Sequence, residues 1–213
     1  MQIQGAASGL PSARVSGGAP NALAGNAGEL LVSELFPPYY SLAKAGKLFT
    51  LGGSALNPTA FTGGAAGTPL IGLYNPASSG VDLVILKARL GIRTTGSAGA
   101  NLDFNWFGVA QGGVAVTGTQ TAARQVYSLG ATGSAAYGMV NTANTAALAS
   151  ALLQPSLSLG NVTTTAGLNA GVFDDLVNGS LIVPPGAYLA LGASASLTSA
   201  SIDVSVIWGE LPA

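Results

Sequence analysis

The sequence has no cysteine and no histidine among its 213 residues. Without cysteine the chain forms no disulfide and carries out no thiol chemistry. Without histidine it lacks the commonest general base near neutral pH and the commonest metal ligand, and a Ser-His-Asp triad is excluded. These two absences exclude catalysis by cysteine or histidine and remove the usual ligands of a zinc site.

Charge is also scarce, because charged residues make up 7% of the chain, against about 25% in an ordinary soluble domain. The mean hydropathy is +0.49, yet no run of 18 apolar residues predicts a transmembrane helix. The first residues lack the pattern of a secretory signal. We infer that neighbouring chains cover much of the surface, since charge is depleted from the cores of interfaces. The alternative is a small-residue surface that simply tolerates low charge.

The few charges are unevenly divided along the chain. Residues 1–124 hold all seven cations and four anions, a net of +3, whereas residues 125–213 hold four anions and no cation, a net of −4. Two halves of opposite sign can pair within the fold or between neighbouring molecules. The weakly acidic total and the lack of a basic stripe argue against nucleic acid as a partner.

An N-terminal arm is predicted from composition. Residues 1–28 are rich in Gly, Ala and Ser and show no periodicity, and such a stretch does not offset its own ordering entropy without a surface to lie on. A short helix is expected over residues 28–36, ended by Pro37 and Pro38. We therefore divide the chain into an arm with a short helix, residues 1–44, and a body, residues 45–213.

The body is predicted to be all-β. Trp106 and Trp208 lie in phase with apolar neighbours at every second position, so both are expected in the core. A second short helix is possible over residues 141–153. Seven or eight short strands separated by Gly- and Pro-rich turns indicate a jelly-roll-like β-sandwich with an extended N-terminal arm and one or two short helices. The segments with strand signals are residues 47–51, 69–74, 81–94, 102–110, 157–160, 177–183, 183–194 and 201–210, and those over 177–183 and 183–194 each include a turn.

Two turns carry specific signals. Asn178-Gly179 predicts a hairpin turn, because both residues accept positive φ. Pro185-Gly186 predicts a type II turn, which places proline first and glycine second. Asp174 and Asp175, just before the first turn, are expected in an acidic loop; on a strand they would face opposite ways and form no catalytic pair.

Three of the seven cations share one face of one predicted strand. In the segment VDLVILKARLGIRT, Lys87, Arg89 and Arg93 point the same way, because alternate side chains of a strand project to one side. One interpretation is a solvated face whose charges deter edge-to-edge pairing. Since cations are rare in this chain, we favour an interface in which these residues pair with carboxylates of a neighbouring subunit.

Further interface residues are predicted in the arm. Tyr39 and Tyr40 lie near its end and are predicted to anchor on a neighbour, since tyrosine is enriched among the residues that dominate binding. Arg14 is the cation of residues 1–28, the stretch rich in Gly, Ala and Ser. We assign all three residues to the predicted interface.

Two stretches resemble structural proteins of tailed-bacteriophage virions. They are ELLVSELFPPYYSLAKAGKLFTL at residues 29–51, and the closing VPPGAYLALGAS with SIDVSVIWGEL. The resemblance implies a jelly-roll cement or decoration protein, commonly a homotrimer. Such a protein would bind the major capsid protein and copies of itself, lie on the capsid surface and be made in the host cytoplasm. The family has no catalytic residues. We therefore expect a protein that is not an enzyme and that binds no cofactor, metal, membrane or small-molecule substrate.

Two other function classes stay open. A receptor- or glycan-binding module of a tail fibre or spike would show exposed aromatic residues around residues 111–135 or 161–175. A glycan-cleaving enzyme would require two carboxylates about 5–10 Å apart in a cleft. The sequence offers no such pair.

Overall fold

The computed structural model describes eleven β-strands and one short helix. The described residues are 39–57, 59–61, 68–94, 100–109, 119–126, 133–141, 151–162, 172–194, 196 and 201–213. The chain divides into two units, Met1–Tyr40 and Ser41–Ala213. In the first unit only Tyr39 and Tyr40 are described, so Arg14 and the helix predicted over residues 28–36 lie outside the described residues.

The strands form two antiparallel sheets. The first sheet consists of β1 (Leu48–Leu56), β3 (Val81–Thr94), β5 (Arg124–Gln125), β8 (Val172–Asp175), β9 (Leu181–Val183) and β11 (Ser201–Pro212). The second consists of β2 (Ile71–Tyr74), β4 (Ala100–Val109), β6 (Tyr137–Val140), β7 (Ala151–Val162) and β10 (Tyr188–Ala193). The helix α1 (Tyr40–Lys44) precedes β1.

The strand order is that of a jelly roll. The first sheet runs β5-β1-β11-β3-β8, with β9 also paired to β3, and the second runs β6-β2-β10-β4-β7. Without β5, β6 and β9, eight strands remain, four to a sheet, in the double-sheet arrangement of that fold. The predicted all-β sandwich is therefore confirmed.

Large side chains at every second position fill the space between the sheets. In β11, Ile202, Val204, Val206 and Trp208 face the core, and Trp208 is fully buried. Its indole stacks on the Phe49 ring with 6.2 Å between centroids. Trp106 reaches the same core from the opposite sheet, so the prediction that both tryptophans are internal is confirmed.

A buried asparagine joins two turns at one end of the body. The Asn75 side-chain amide donates to the carbonyl oxygens of Val81 at 2.7 Å and Val183 at 2.8 Å. Its backbone N–H donates to Ala187, and its carbonyl accepts from Gly186. One side chain thus ties the β2–β3 turn to the start of β3 and the end of β9.

The two predicted turns have different outcomes. Gly186 has a φ of 84°, and the Ala187 N–H donates to the Pro184 carbonyl, as the predicted type II turn requires. Asn178 and Gly179 also take positive φ, but the predicted hairpin is wrong. The strands on either side of this turn, β8 and β9, both pair with β3 rather than with each other. The turn therefore connects two consecutive strands that lie along β3.

The second predicted helix is wrong where it is described. Of residues 141–153, residues 142–150 lie outside the described part, and residues 151–153 belong to β7. There β7 pairs with β4 along most of its length. The ladder to β4 supplies the backbone hydrogen bonds that a helix would otherwise make internally.

Candidate functional site

The predicted cations lie together on the outer face of the first sheet. Along β3, Lys87 and Arg89 are solvent-accessible, whereas the intervening Ala88 and the following Leu90 are buried in the core. Arg93 is exposed near the end of the strand and reaches a carboxylate on the same outer face. The alternation of β3 thus produces the shared cationic face that its sequence predicts.

A single carboxylate lies between two of these cations. Lys87 Nζ donates to Asp174 Oδ2 at 2.8 Å. Arg89 donates to the same carboxylate through Nε at 2.8 Å and Nη2 at 3.3 Å. Asp174 lies directly across from Arg89 in the β3–β8 pairing, so the register of the two strands sets this geometry.

The third cation has a looser partner. Arg93 Nη1 is 3.8 Å from Asp203 Oδ1, and the same oxygen accepts the backbone N–H of Ala55 at 2.9 Å. Ala55 lies where β1 shifts register against β11. Its φ is 55°, in the left-handed region that favours glycine. Through these two contacts Asp203, which lies on β11, connects that strand both to the β1 bulge and to the end of β3.

The ion pairs of Lys87, Arg89 and Arg93 join the cationic N-terminal half to the acidic C-terminal half within one chain. Pairing within the fold was one of the two arrangements expected from the charge distribution. For Lys87, Arg89 and Arg93 we favoured carboxylates of a neighbouring subunit; the carboxylates that the structure gives them belong to the same molecule. Pairing with a neighbour through their remaining donors stays a prediction.

The electrostatics of this cluster leave a surplus of positive charge. Hydrogen bonds from Arg89 and then from Lys87 lower the pKa of Asp174 from 3.8 to about 2. The bond to Asp174 likewise raises the pKa of Arg89. At neutral pH the cluster holds two cations and one carboxylate, and both cations keep N–H donors that these bonds do not use.

A small cleft opens beside these two cations. It has a volume of about 130 Å³ and is lined by Lys87, Arg89, Ser205 and Ile207; we name it the cationic cleft. The two cations come from β3, and the hydroxyl and the aliphatic side chain come from the neighbouring strand β11. Two positive groups, a hydroxyl and an apolar wall suit a carboxylate carried on an apolar segment.

An exposed apolar edge runs beside the cationic cleft. Val172, Leu176 and Ile182 are 67%, 62% and 56% exposed, the highest values among the large hydrophobic side chains whose exposure the structure describes. They lie on β8, on β9 and between them; we name them the apolar rim. In the described sheet these two strands pair with β3 alone, so the rim lines a sheet edge.

The sequence analysis missed the apolar rim. One signal was present: Leu181-Ile182-Val183 is a run of three apolar residues, and alternation forces one of its members outward. With Leu181 and Val183 turned towards the core, Ile182 is the exposed one. The sequence around Val172 contains no comparable signal, because a single valine at a strand position is as often buried as exposed.

The arm residues are described only in part. Tyr39 and Tyr40 are 37% and 39% exposed, and Tyr39 has a φ of 67°. Arg14 lies outside the described residues. The role of these three residues as anchors on a neighbour stays a prediction.

The acidic pair Asp174-Asp175 belongs to strand β8 and not to the expected loop. Asp174 faces outward to the cations, whereas Asp175 Oδ2 accepts the Trp106 indole N–H at 2.9 Å. The two carboxylates therefore serve opposite faces of the sheet, as adjacent residues of a strand must.

A buried carboxylate lies near the C-terminus. Glu210 is 3% exposed and accepts hydrogen bonds from Ser134 Oγ and the Ala135 N–H. These bonds hold the segment before β6 against β11. Among the described residues no group of three or more acidic side chains is arranged to hold a metal ion.

A larger cleft lies at the other edge of the sandwich. It has a volume of about 350 Å³ and is lined by residues of 120–123 and 133–138. Tyr137, 43% exposed, lies on its wall and packs against Tyr74 with ring centroids 6.0 Å apart. Gln120, Thr121 and Ser134 add polar groups to the same wall.

Comparisons with known proteins add no assignment. No family model matches the chain, and neither the curated proteins nor the solved structures contain a match to it. In the described part of the chain, no helix is long and apolar enough to span a membrane.

Proposed function

We propose that this chain is a non-enzymatic structural protein of a tailed-bacteriophage virion. It acts as a cement or decoration protein that binds the major capsid protein and copies of itself, as a homotrimer, through its arm and its sandwich. The jelly-roll body and the low charge of the chain support this proposal, because an exterior with few ionic groups is best kept dispersed when partner molecules cover it.

The observation that carries the proposal is the apolar rim. Soluble monomers avoid large apolar side chains on an open sheet edge, since such an edge recruits other strands. Here Val172, Leu176 and Ile182 are each more than half exposed at one edge. The one outward carboxylate of β8, Asp174, is already neutralised by cations and gives little repulsion against an approaching chain.

The structural use of the carboxylates supports a non-enzymatic role. Asp174 joins β8 to β3, Asp175 accepts from Trp106, Asp203 holds the β1 bulge, and Glu210 holds the segment before β6. Half of the eight acidic residues of the chain are thereby committed to holding strands and loops in place.

Self-assembly is tested by sedimentation equilibrium of the full chain across a range of concentrations. We expect Ile182→Asp to weaken association at least about tenfold, because the rim then carries an unpaired charge into the contact. Leu153→Asp is the matched control: Leu153 is also about half exposed, at 49%, but lies on β7 of the other sheet. A wild-type protein that is monomeric at all concentrations would refute self-assembly.

Capsid binding is tested by co-sedimentation with capsids of the phage or prophage that encodes the chain. The protein is expected in the pellet with capsids and in the supernatant without them. A protein that stays in the supernatant when intact capsids pellet would count against the capsid role while leaving self-assembly standing.

A second candidate function is glycan or receptor binding, which the larger cleft favours. Sugar sites combine an exposed aromatic ring with hydroxyl and amide groups, and Tyr137, Gln120 and Thr121 supply these at one wall. Saturation-transfer NMR against a panel of bacterial surface glycans tests it. Signals that disappear in Tyr137→Ala support the site, and a panel without any signal refutes it.

A further inference from the structure

We propose that the cationic cleft and the apolar rim together receive residues 28–36 from the arm of a second copy. This inference rests on the proposed self-assembly and names the contact that would produce it. We name residues 28–36, GELLVSELF, the arm segment.

Charge complementarity is the first argument. Glu29 and Glu34 are the only charged residues between Arg14 and Lys44, so the arm segment is purely acidic. The cationic cleft holds two cations against one carboxylate, with donors to spare. One incoming glutamate neutralises that surplus, and a carboxylate that accepts from Lys and Arg makes the stronger kind of hydrogen bond.

Apolar complementarity is the second argument. The two glutamates are embedded among Leu30, Leu31, Val32, Leu35 and Phe36, which is the largest concentration of apolar side chains in the first 44 residues. On the receiving side, the cationic cleft has an aliphatic wall at Ile207, and the apolar rim lies on the adjacent sheet edge. Burial of both apolar surfaces contributes the non-directional part of the binding, and the charges fix its position.

The proposed self-assembly makes a second copy the donor, because it requires a contact between molecules. The cross-links described below distinguish this donor from the arm segment of the same molecule.

The absence of cysteine permits a direct test. One full-length variant carries Ser33→Cys, next to Glu34, and a second carries Ser205→Cys in the cationic cleft; both changes are nearly isosteric. A disulfide requires Cα atoms within about 7 Å. Mild oxidation of the mixture is expected to yield a species of dimer mass that contains one copy of each variant. Ser78→Cys, at an exposed turn of the body, replaces Ser205→Cys as the control and is expected to give at least about tenfold less of this product.

Charge dependence is tested on the same pair. Arg89→Gln in the receiving variant is expected to lower the cross-linking rate about tenfold, since it removes a positive charge and the guanidinium N–H groups that the bonds to Asp174 do not use. Arg124→Gln is the matched control, because Arg124 lies on β5 at the opposite edge of the same sheet. Equal rates for the two variants would refute recognition by the cationic cleft.

The remaining outcomes separate this inference from the proposed function. Cross-linked dimer at the control level, in a protein that self-associates by sedimentation, overturns the arm contact and leaves self-assembly intact. A Ser33→Cys, Ser205→Cys double variant that closes within one chain, with no dimer from the mixture, overturns the assignment to a second copy. Absence of both cross-linking and association overturns the two proposals together.

Discussion

The clearest stability prediction concerns Asn75, which is fully buried between two turns. Its amide donates to the carbonyl oxygens of Val81 and Val183, and Asn75→Ala leaves both without this donor. Val183 O is enclosed, whereas Val81 O keeps the Ser79 hydroxyl at 3.2 Å. The two losses are therefore unequal.

The magnitude follows from the cost of a buried acceptor left without a partner, which is about 1–3 kcal/mol. The Val183 carbonyl falls in this range, whereas the Val81 carbonyl, which keeps the Ser79 hydroxyl, loses one hydrogen bond worth about 1 kcal/mol, so we expect Asn75→Ala to lower the free energy of unfolding by about 2–4 kcal/mol. In a body of this size each kcal/mol shifts Tm by about 2–4 °C, so Tm should fall by about 5–15 °C.

Urea unfolding and differential scanning calorimetry measure the effect, at one protein concentration because association raises apparent stability. The urea midpoint should fall while the m-value stays constant. Asn105→Ala, a half-buried strand position, is the control and should change stability by less than about 0.5 kcal/mol. A loss below about 1 kcal/mol for Asn75→Ala would refute the reasoning that this side chain joins the turns.

Three further predictions concern the sheets. The pKa of Asp174 is lowered to about 2 from 3.8, so its contribution to stability is complete above that unfolded value and is lost as pH falls from about 4 towards 2. Urea midpoints measured against pH should show this loss in the wild type and not in Asp174→Asn, and parallel curves would contradict it. Ala55→Gly should raise the free energy of unfolding by up to about 1 kcal/mol in the same assay, because Ala55 has a left-handed φ that glycine adopts without steric cost; a loss of stability would argue against the strain. Trp106→Phe should destabilise more than Trp208→Phe, by about 1–2 kcal/mol, because the Trp106 indole donates to Asp175 whereas the Trp208 indole N–H meets no acceptor among the described residues. Equal losses in calorimetry would show that the indole hydrogen bond adds nothing.

Features that depend on neighbouring residues alone were predicted well. The inward faces of β4 and β11 follow from alternation, and Trp106 and Trp208 lie where that period places them. The turn at Pro185-Gly186 forms as predicted, because proline and glycine restrict φ wherever they occur.

The failures arise where distant strands compete for the same residues. Asn178-Gly179 makes its turn, but β3 offers carbonyls to the turn's own amides, so no hairpin forms. Asp174 and Asp175 were expected in a loop and instead pair with β3 as the end of β8. In both cases a long partner strand provides more hydrogen bonds than the local alternative.

By itself, the sequence determined the all-β class, the two sides of each strand and the cationic face of β3, because side chains alternate with a period of two whatever the strand pairs with. Only the tertiary structure decided which carboxylate meets those cations and which side chains are left exposed at the edge. Asp174 is 85 residues from Arg89, and strand order and register bring them together. Register is a property of two strands at once, and neither strand's residues specify it alone.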